Sequence, residues 1–189
     1  MGIVKGLGAI KEAMGKGMEY VKMKSGEALL ARILVSSDDI MGVYEHTEKI
    51  GGYWKTITCI GRDKCPLCKA GKRASFKAYI PVLDRSDDKV KIYKASKDTI
   101  KIILGLVEEY GELTSRDYKI VRQGDGLDTV YQFFPKDPVA LDLSGYEVPD
   151  IEAKISPMEP EAIRELMEGS LSPDTSESPI SVNDDEYPF

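Results

Sequence analysis

Three cysteines and one histidine are the residues most suited to chemistry in this sequence, and they lie close together in the chain. The sequence contains a single histidine, His46, and three cysteines, Cys59, Cys65 and Cys68. Three thiolates and one imidazole form a standard tetrahedral ligand set for structural Zn²⁺. The pattern therefore predicts one structural zinc ion. Four protein ligands leave no coordination position for a water molecule that could act in hydrolysis.

The same cysteines have two alternative interpretations. An odd number of cysteines clustered within ten residues is not typical of a disulfide framework. The pair Cys65-Pro66-Leu67-Cys68 could be a redox Cys-x-x-Cys motif, but the strand–turn–helix setting of a thioredoxin-like site is not evident around it. We therefore favour the metal site, in which Pro66 restricts the turn between two of the thiolates.

Basic and aromatic residues are interleaved around and after these ligands. Residues 49–101 contain 14 Lys and Arg against five Asp and Glu. A cationic groove that follows the phosphates, with exposed rings on which bases stack, is the usual surface for non-specific binding of single strands. The candidate DNA-contacting residues are Arg32, Tyr53, Trp54, Lys55, Arg62, Lys64, Lys69, Lys72, Arg73, Lys77, Tyr79, Lys89, Lys91, Tyr93 and Lys94.

Strand alternation predicts which of these side chains face the DNA. Side chains two residues apart share one face of a strand. In the strand 76–80, Lys77 and Tyr79 are expected to face the DNA, whereas Phe76 faces the core. In the strand 89–93, the same rule places Lys89, Lys91 and Tyr93 together on the DNA side, with Val90 and Ile92 turned inward.

The elements that must position these residues are mostly short strands. Apolar runs separated by turn residues predict strands at 29–35, 42–44, 54–59, 76–83, 89–93, 118–121 and 130–134. Helical spacing predicts a helix over 98–110 that ends at Gly111, and a shorter one over 159–168. The stretch Gly124-Asp125-Gly126 predicts a turn more than a phosphate-binding loop. These elements suit a mainly β fold with short helices, of the small barrel type.

Charge is segregated along the chain. Residues 1–105 contain 20 Lys and Arg against 12 Asp and Glu, whereas residues 146–189 contain two against 12. A basic body with an acidic end is typical of a polyanion-binding domain that carries its own acidic tail. The tail ends in Asp184, Asp185, Glu186, Tyr187, Pro188 and Phe189. Its terminal ring can enter an apolar pocket of a partner protein while its carboxylates meet basic residues. The tail can also fold back onto the basic groove and compete with DNA. The alternative is a merely solubilising tail.

The combined pattern resembles the zinc-containing single-stranded DNA-binding proteins of tailed phages, of the T-even helix-destabilising type. The resemblance covers roughly residues 28–138 and rests mainly on the metal-ligand spacing. It also includes Arg32-Ile33-Leu34, the strand pair 76–93 and the stretch 124–131. The gap between the second and third ligands is shorter than in the T-even type. The tail tip resembles that of bacterial single-stranded DNA-binding proteins. The resemblance implies an oligonucleotide-binding (OB) barrel with an inserted zinc subdomain and no enzymatic activity.

These observations predict four regions. Residues 1–24 form an N-terminal segment with a marginal helix, and residues 25–145 form the OB-fold core with a zinc subdomain at about 46–73. Residues 146–169 form a linker with a short helix, and residues 170–189 a disordered acidic tail.

The expected function is non-specific coating of single-stranded DNA in replication, recombination or repair, without enzymatic activity. The tail tip is expected to recruit a polymerase, a helicase or primase, or a nuclease, and the protein is expected to self-associate on DNA. A zinc-containing RNA-binding regulator and a zinc-ribbon adaptor for other proteins are the alternatives. No apolar run of about 18 residues and no secretory signal are present, so we expect a cytoplasmic protein without a membrane span.

Overall fold

The computed structural model describes residues 18–168, and these residues form one antiparallel sheet with short helices. The predictions of an N-terminal helix before Met18 and of a disordered tail from residue 170 lie outside the described residues. Seven strands and four α-helices follow one another. They are β1 (Ala28–Ile33), β2 (Met41–Ile50), β3 (Tyr53–Thr58), α1 (Pro66–Lys69), β4 (Ser75–Asp84), β5 (Lys89–Ser96), α2 (Lys97–Tyr110), β6 (Arg116–Gln123), β7 (Val130–Pro138), α3 (Ile151–Ile155) and α4 (Pro160–Glu168). Single turns of 3-10 helix lie at Ser37–Asp39, Leu113–Ser115 and Gly126–Asp128.

The mainly β fold with short helices is confirmed. Along the sheet the strand order is β3-β2-β4-β1-β6-β7, and β5 pairs with the other side of β4. The long strand β4 pairs with β2 through its first half, where Met41 lies opposite Tyr79, and with β1 through its second half, where Ile33 lies opposite Val82. A closed OB barrel is not confirmed, because within residues 18–168 no ladder joins β7 to β5 or β3.

The main core lies between the curled sheet and α2. Ser96 caps the start of α2 by accepting a hydrogen bond from the Thr99 N–H. On the inner face of α2, Ile103 and Leu106 are buried in the main core. The inward side chains of β4 are Ala78, Ile80 and Val82, as alternation predicts for the first two. Because alternate side chains of a strand share one face, the period of two in the sequence groups these residues together.

The strands β5 and β7 face each other across this core without pairing. The ring of Tyr93 on β5 makes edge contacts with the rings of Tyr131 and Phe133 on β7, each at a centroid distance of 5.7 Å. Edge-to-face packing of this kind stabilises a core beyond the area that it buries. The aromatic contacts therefore hold the two open edges of the sheet close to each other.

The outer face of the β4–β5 hairpin is covered as well. Tyr79 and Ile92 form a second apolar cluster with Met18, Tyr20 and Ile151, so that the chain before β1 and helix α3 both lie on this face. The segment before β1 also hydrogen-bonds to the free edge of β5, where the Val21 N–H donates to the Ile92 carbonyl at 2.9 Å. The hairpin is thus buried on both faces.

The segment after β7 contains two short helices that pack on the rest of the described chain. The helix predicted over 159–168 is present as α4, and the additional short helix α3 precedes it. Asp150 caps α3 by accepting a hydrogen bond from the Ala153 N–H at 2.9 Å. The carbonyl of Ile155 accepts a hydrogen bond from the Thr58 hydroxyl at 2.8 Å, which joins the end of α3 to the end of β3.

Candidate metal centre and the surface around it

The four predicted metal ligands lie on three neighbouring elements. His46 is in the middle of β2, Cys59 directly follows β3, and Cys65 and Cys68 lie at the start of α1 and within it. We call residues 46–73 the metal subdomain. The β2–β3 hairpin reverses at Gly51 and Gly52, whose φ values are 61° and 86°. Two successive positive φ values are characteristic of tight hairpin turns and favour glycine, so the turn brings Cys59 back beside His46.

The ligand atoms of these residues converge on one point. The Cys59 and Cys68 Sγ atoms are 3.5 Å apart, and His46 Nε2 lies 3.5 Å from the Sγ atoms of both Cys65 and Cys68. All four ligand atoms lie within 4.8 Å of one another. A tetrahedral site with metal–sulfur bonds of about 2.3 Å has ligand–ligand edges of about 3.5–3.8 Å. The cluster could therefore hold a metal ion, and the predicted gathering of the four residues is confirmed.

The electrostatics of the thiols also favour a cation. Although burial raises the pKa of Cys65, hydrogen bonds from the backbone N–H groups of Cys68, Leu67 and Ile60 lower it below its usual value. Burial raises the pKa of Cys68 to about 11, and the neighbouring sulfurs of Cys59 and Cys65 add to this rise. Ionisation of Cys68 is thus opposed both by its burial and by the sulfurs beside it. A divalent cation among the sulfurs would remove that repulsion and deprotonate the thiols.

The metal subdomain presents an exposed surface of basic and aromatic residues. Tyr53 is 61% exposed, and Trp54 beside it on β3 is also exposed. Lys55 is half-buried, and Lys72 pairs with Glu48 at 3.0 Å. The remaining predicted cations of the subdomain are exposed and form no ion pair with any residue in the range 18–168. They are Arg62, Lys64, Lys69 and Arg73. These residues have the exposure that DNA contacts would require, and the contacts themselves stay a prediction.

The β4–β5 hairpin does not present the predicted surface. The expectation that Tyr79 and Tyr93 offer exposed rings is wrong, because each is only 4% exposed. Tyr79 does share a face with Lys77, as predicted, but that face is covered by the segment before β1 and by α3. Tyr93 lies on the opposite face, in the main core, and Ile92 lies beside Tyr79. The predicted facing of residues 89–93 was therefore inverted.

The lysines of this hairpin are mostly engaged within the protein. Lys94 pairs with the buried carboxylate of Glu45 at 2.6 Å, and the Tyr79 hydroxyl donates to the other oxygen of that carboxylate at 2.5 Å. Lys91 pairs with Asp84 at 2.7 Å and with Asp87 at 2.8 Å. Burial lowers the pKa of Lys77, and the neighbouring charge of Lys94 lowers it further. Among the predicted hairpin cations, only Lys89 is exposed.

Arg32 has a structural role that the sequence did not reveal. Its side chain is 2% exposed, and its Nε donates to Asp117 at 2.6 Å. Its Nη1 donates to the carbonyls of Thr114 at 3.1 Å and Val139 at 3.0 Å. A charge that is buried and paired in this way ties β1 to the chain around β6 and β7. The predicted exposure of Arg32 to DNA is therefore wrong.

Tyr44 is an exposed aromatic residue that the sequence analysis missed. It is 57% exposed, and its ring packs edge-on against Phe76 at a centroid distance of 5.5 Å. Gly42 makes room for the ring of Phe76, since a Cβ at position 42 would lie 2.5 Å from Phe76 Cζ. Phe76 is half-buried against the main core, so its predicted inward direction is confirmed. Tyr44 lies in the predicted strand 42–44, but alternation alone does not show that its ring is exposed, because His46 on the same face of β2 is buried.

The fold and the cluster together define a β-rich protein with a His/Cys₃ site. No protein-family model matches the chain, and the search of curated proteins also gives no match. Within residues 18–168, no helix has the length and apolar character needed to cross a membrane.

Proposed function

We propose that this protein binds single-stranded DNA without sequence specificity, and that one structural Zn²⁺ at His46, Cys59, Cys65 and Cys68 holds the binding surface in shape. The observation that carries this proposal is the exposed set of basic and aromatic side chains on the metal subdomain. The ion would bind three thiolates and one imidazole, a set that favours Zn²⁺ over Mg²⁺ or Ca²⁺ because the latter prefer oxygen ligands.

The order of the strands supports an OB-type fold. If β1, β4, β5, β6 and β7 are taken as its five strands, the pairings β1–β4, β4–β5, β1–β6 and β6–β7 follow the OB connectivity. The helix α2 then lies between the third and fourth strands. The contact of Tyr93 with Tyr131 and Phe133 lies where the third and fifth strands meet in such a barrel. OB folds are often only partly closed.

This correspondence supports a proposal for where the DNA would bind. OB folds bind oligonucleotides with the face of the second and third strands and with the loops that follow the first and fourth strands. Here the first of these loops contains the metal subdomain, and the second is the turn at 124–129 with the fully exposed Leu127. The outer face of β4 and β5 is covered by Met18, Tyr20 and α3. We therefore assign the DNA to the metal subdomain and the 124–129 turn.

The proposed contacts are of two kinds with different magnitudes. Rings such as Tyr53 and Tyr44 would stack on bases, which contributes roughly 1–3 kcal/mol per base. Cations such as Arg62 and Lys64 would contact phosphates. For each phosphate contacted, the binding constant would fall by about 0.7 logarithmic units per tenfold increase in salt concentration. Neither kind of contact reads base edges, and the binding is expected to be insensitive to sequence.

We propose no enzymatic activity for this protein. The four ligands would surround the ion completely, so that its role is to fix the positions of β3 and the turn that follows it. The acidic tip Asp184–Phe189 is proposed to recruit replication or recombination proteins. Self-association on DNA is a further part of the proposal.

The test of this function is a titration of the zinc-loaded protein with fluorescent oligonucleotides. Bound metal is first measured, and one Zn²⁺ per chain is expected. Single-stranded DNA, duplex DNA and single-stranded RNA of matched length are then titrated from about 50 to about 200 mM salt. Tighter binding to single-stranded DNA than to duplex, with a marked salt dependence, supports the proposal. Equal affinity for duplex contradicts it, and preference for RNA favours the RNA-binding alternative. No nucleic-acid binding favours the adaptor alternative.

A paired charge deletion locates the surface. Arg62→Ala combined with Lys64→Ala removes two exposed cations of the metal subdomain. The slope of log affinity against log salt is expected to become shallower by about 1.4 if each cation contacts one phosphate. The matched control is Lys97→Ala combined with Lys101→Ala on α2, where both side chains are exposed. The control removes the same charge and should leave the slope unchanged; equal effects of the two pairs would mean that net charge alone drives binding.

A further inference from the structure

Helix α4 packs directly on the candidate metal centre, although it lies far from it in the chain. Its apolar residues Ile163, Leu166 and Met167 share one helical face by their spacing of three and four. Ile163 is 0% exposed, and it belongs to the same apolar cluster as Cys65 and Leu67. The wall around the ligands is thus built partly from the C-terminal part of the described chain.

The metal subdomain has little apolar material of its own. Besides its cysteines, its contribution to the cluster consists of Ile50, Ile57, Ile60 and Leu67. Chains shorter than about 40 residues rarely form a stable core without a metal, a disulfide or an added partner. Residues 46–73 are below that length, and α4 supplies the apolar face that they lack. With a metal bound, the subdomain would have two supports, the ion and α4.

We propose that binding of the metal and docking of α4 are thermodynamically coupled, with Ile163 as a positioning residue of the centre. The metal holds β3 and α1 together and so orders the surface on which α4 packs. The docked helix in turn keeps the ligands in place and shields them from water. Coupling between two binding events is reciprocal, so metal affinity and helix docking must change by the same factor. This inference rests on the proposed zinc site.

The coupling has a consequence for the acidic end of the chain. Glu168, the last residue of α4, is followed by residues 169–189, which carry five acidic and no basic residues. In the sequence, this acidic segment directly follows a helix that packs on the metal subdomain, whose residues 46–73 carry seven basic and two acidic residues. Loss of the metal would release α4 and move the start of the acidic segment away from the basic surface.

The first arm of the experiment measures zinc affinity by competition with a chromophoric chelator in the full-length protein. Ile163→Asp is expected to weaken zinc binding by about 10–100-fold, the range found when groups that support metal ligands are changed. Ile163→Ala is the milder variant, and it decides the outcome if Ile163→Asp does not fold. The matched control is Glu165→Gln, at an exposed position of the same helix. It should bind zinc as the unchanged protein does.

The second arm measures docking itself by trypsin cleavage after Arg164, a bond inside α4 that a docked helix protects. In the unchanged protein, removal of zinc should speed this cleavage at least about tenfold, in line with the affinity change of the first arm. Re-addition of zinc should restore protection. In Ile163→Ala, cleavage should be faster than in the unchanged protein at the same zinc concentration.

The outcomes separate the two proposals. If the unchanged protein binds one zinc ion, but the Ile163 variants bind it as tightly and cleavage does not depend on zinc, the coupling is overturned and the zinc site stands. If the unchanged protein binds no zinc at all, both are overturned. Weaker zinc binding in both Ile163 variants, with zinc-dependent protection of Arg164, supports the coupling.

Discussion

The metal subdomain and the β4–β5 hairpin carry the same kinds of residues but use them differently. Both are rich in lysine, arginine and aromatic residues in the sequence. In the metal subdomain, Tyr53 and Arg62 are exposed, whereas in the hairpin Tyr79 and Tyr93 are buried and Lys91 is paired with Asp84. The difference arises because segments distant in sequence cover both faces of the hairpin. Basic and aromatic content therefore indicates a binding surface only where nothing else packs on it.

The largest expected effect comes from breaking the metal site alone. Cys68→Ser removes one of the four ligands, and the apparent zinc-binding free energy of small zinc domains is about 10–16 kcal/mol. The variant should lose stoichiometric zinc and most of its affinity for single-stranded DNA. The hairpin should remain folded, because its contacts with α2, α3 and the segment before β1 do not use the metal.

Metal analysis, a DNA titration and far-ultraviolet circular dichroism of the same sample check this expectation. The control is the unchanged protein after removal and re-addition of zinc, which should recover binding, whereas Cys68→Ser should not. Full DNA binding by zinc-free protein would show that the metal subdomain keeps its surface without the ion.

A pair of tyrosine variants tests the contrast between the two regions directly. Tyr79→Ala removes a buried ring and its hydrogen bond to Glu45, and should lower the free energy of unfolding by about 3–5 kcal/mol. Tyr53→Ala removes an exposed ring and should change stability by less than about 0.5 kcal/mol. It should instead weaken DNA binding by roughly 1–3 kcal/mol. Chemical denaturation and DNA titration of both variants measure the two effects. A large stability loss in Tyr53→Ala together with a stable Tyr79→Ala would contradict the contrast.

The smallest expected effect is in the alkaline range. Burial raises the pKa of Tyr93 above its usual value of 10.0. The contribution of the Tyr93 hydroxyl to stability is thus fully present below pH 10 and is lost as the pH rises further. Above pH 10 this hydroxyl releases its proton in the unfolded chain but keeps it in the folded chain. The slope is about 1.4 kcal/mol per pH unit for one tyrosine. Tyr93→Phe should remove about that much of the pH dependence above pH 10.

Denaturation of this variant is compared with that of Tyr53→Phe over the same pH range. Tyr53→Phe removes the same hydroxyl at an exposed position and is the matched control for the substitution. If Tyr93→Phe retained the full slope, the hydroxyl of Tyr93 would titrate in the folded protein, which its burial opposes.

Much of the local structure could be predicted from the sequence. The strand-like runs and the helix predicted over 98–110 follow from hydrophobic periodicity and turn residues, which act over a few neighbouring positions. The gathering of the four possible metal ligands was predictable as well, because ligand type and spacing restrict which residues could meet at one ion. The length of β2 could not be predicted, because many of its residues are polar and give little apolar signal. Its extent depends on its pairing with β3 and β4.

What the sequence determined by itself is the cluster of possible metal ligands, His46, Cys59, Cys65 and Cys68, and which side chains share a face of each strand. Both depend on local geometry, the first on spacing and the second on the period of two. Only the tertiary structure decided which of those faces remain exposed. Met18, Ile151 and Ile163 each cover a surface formed by residues far from them in the chain. Because their burial arises from packing between distant segments, neither composition nor periodicity could reveal that Tyr79 is covered and Tyr53 exposed.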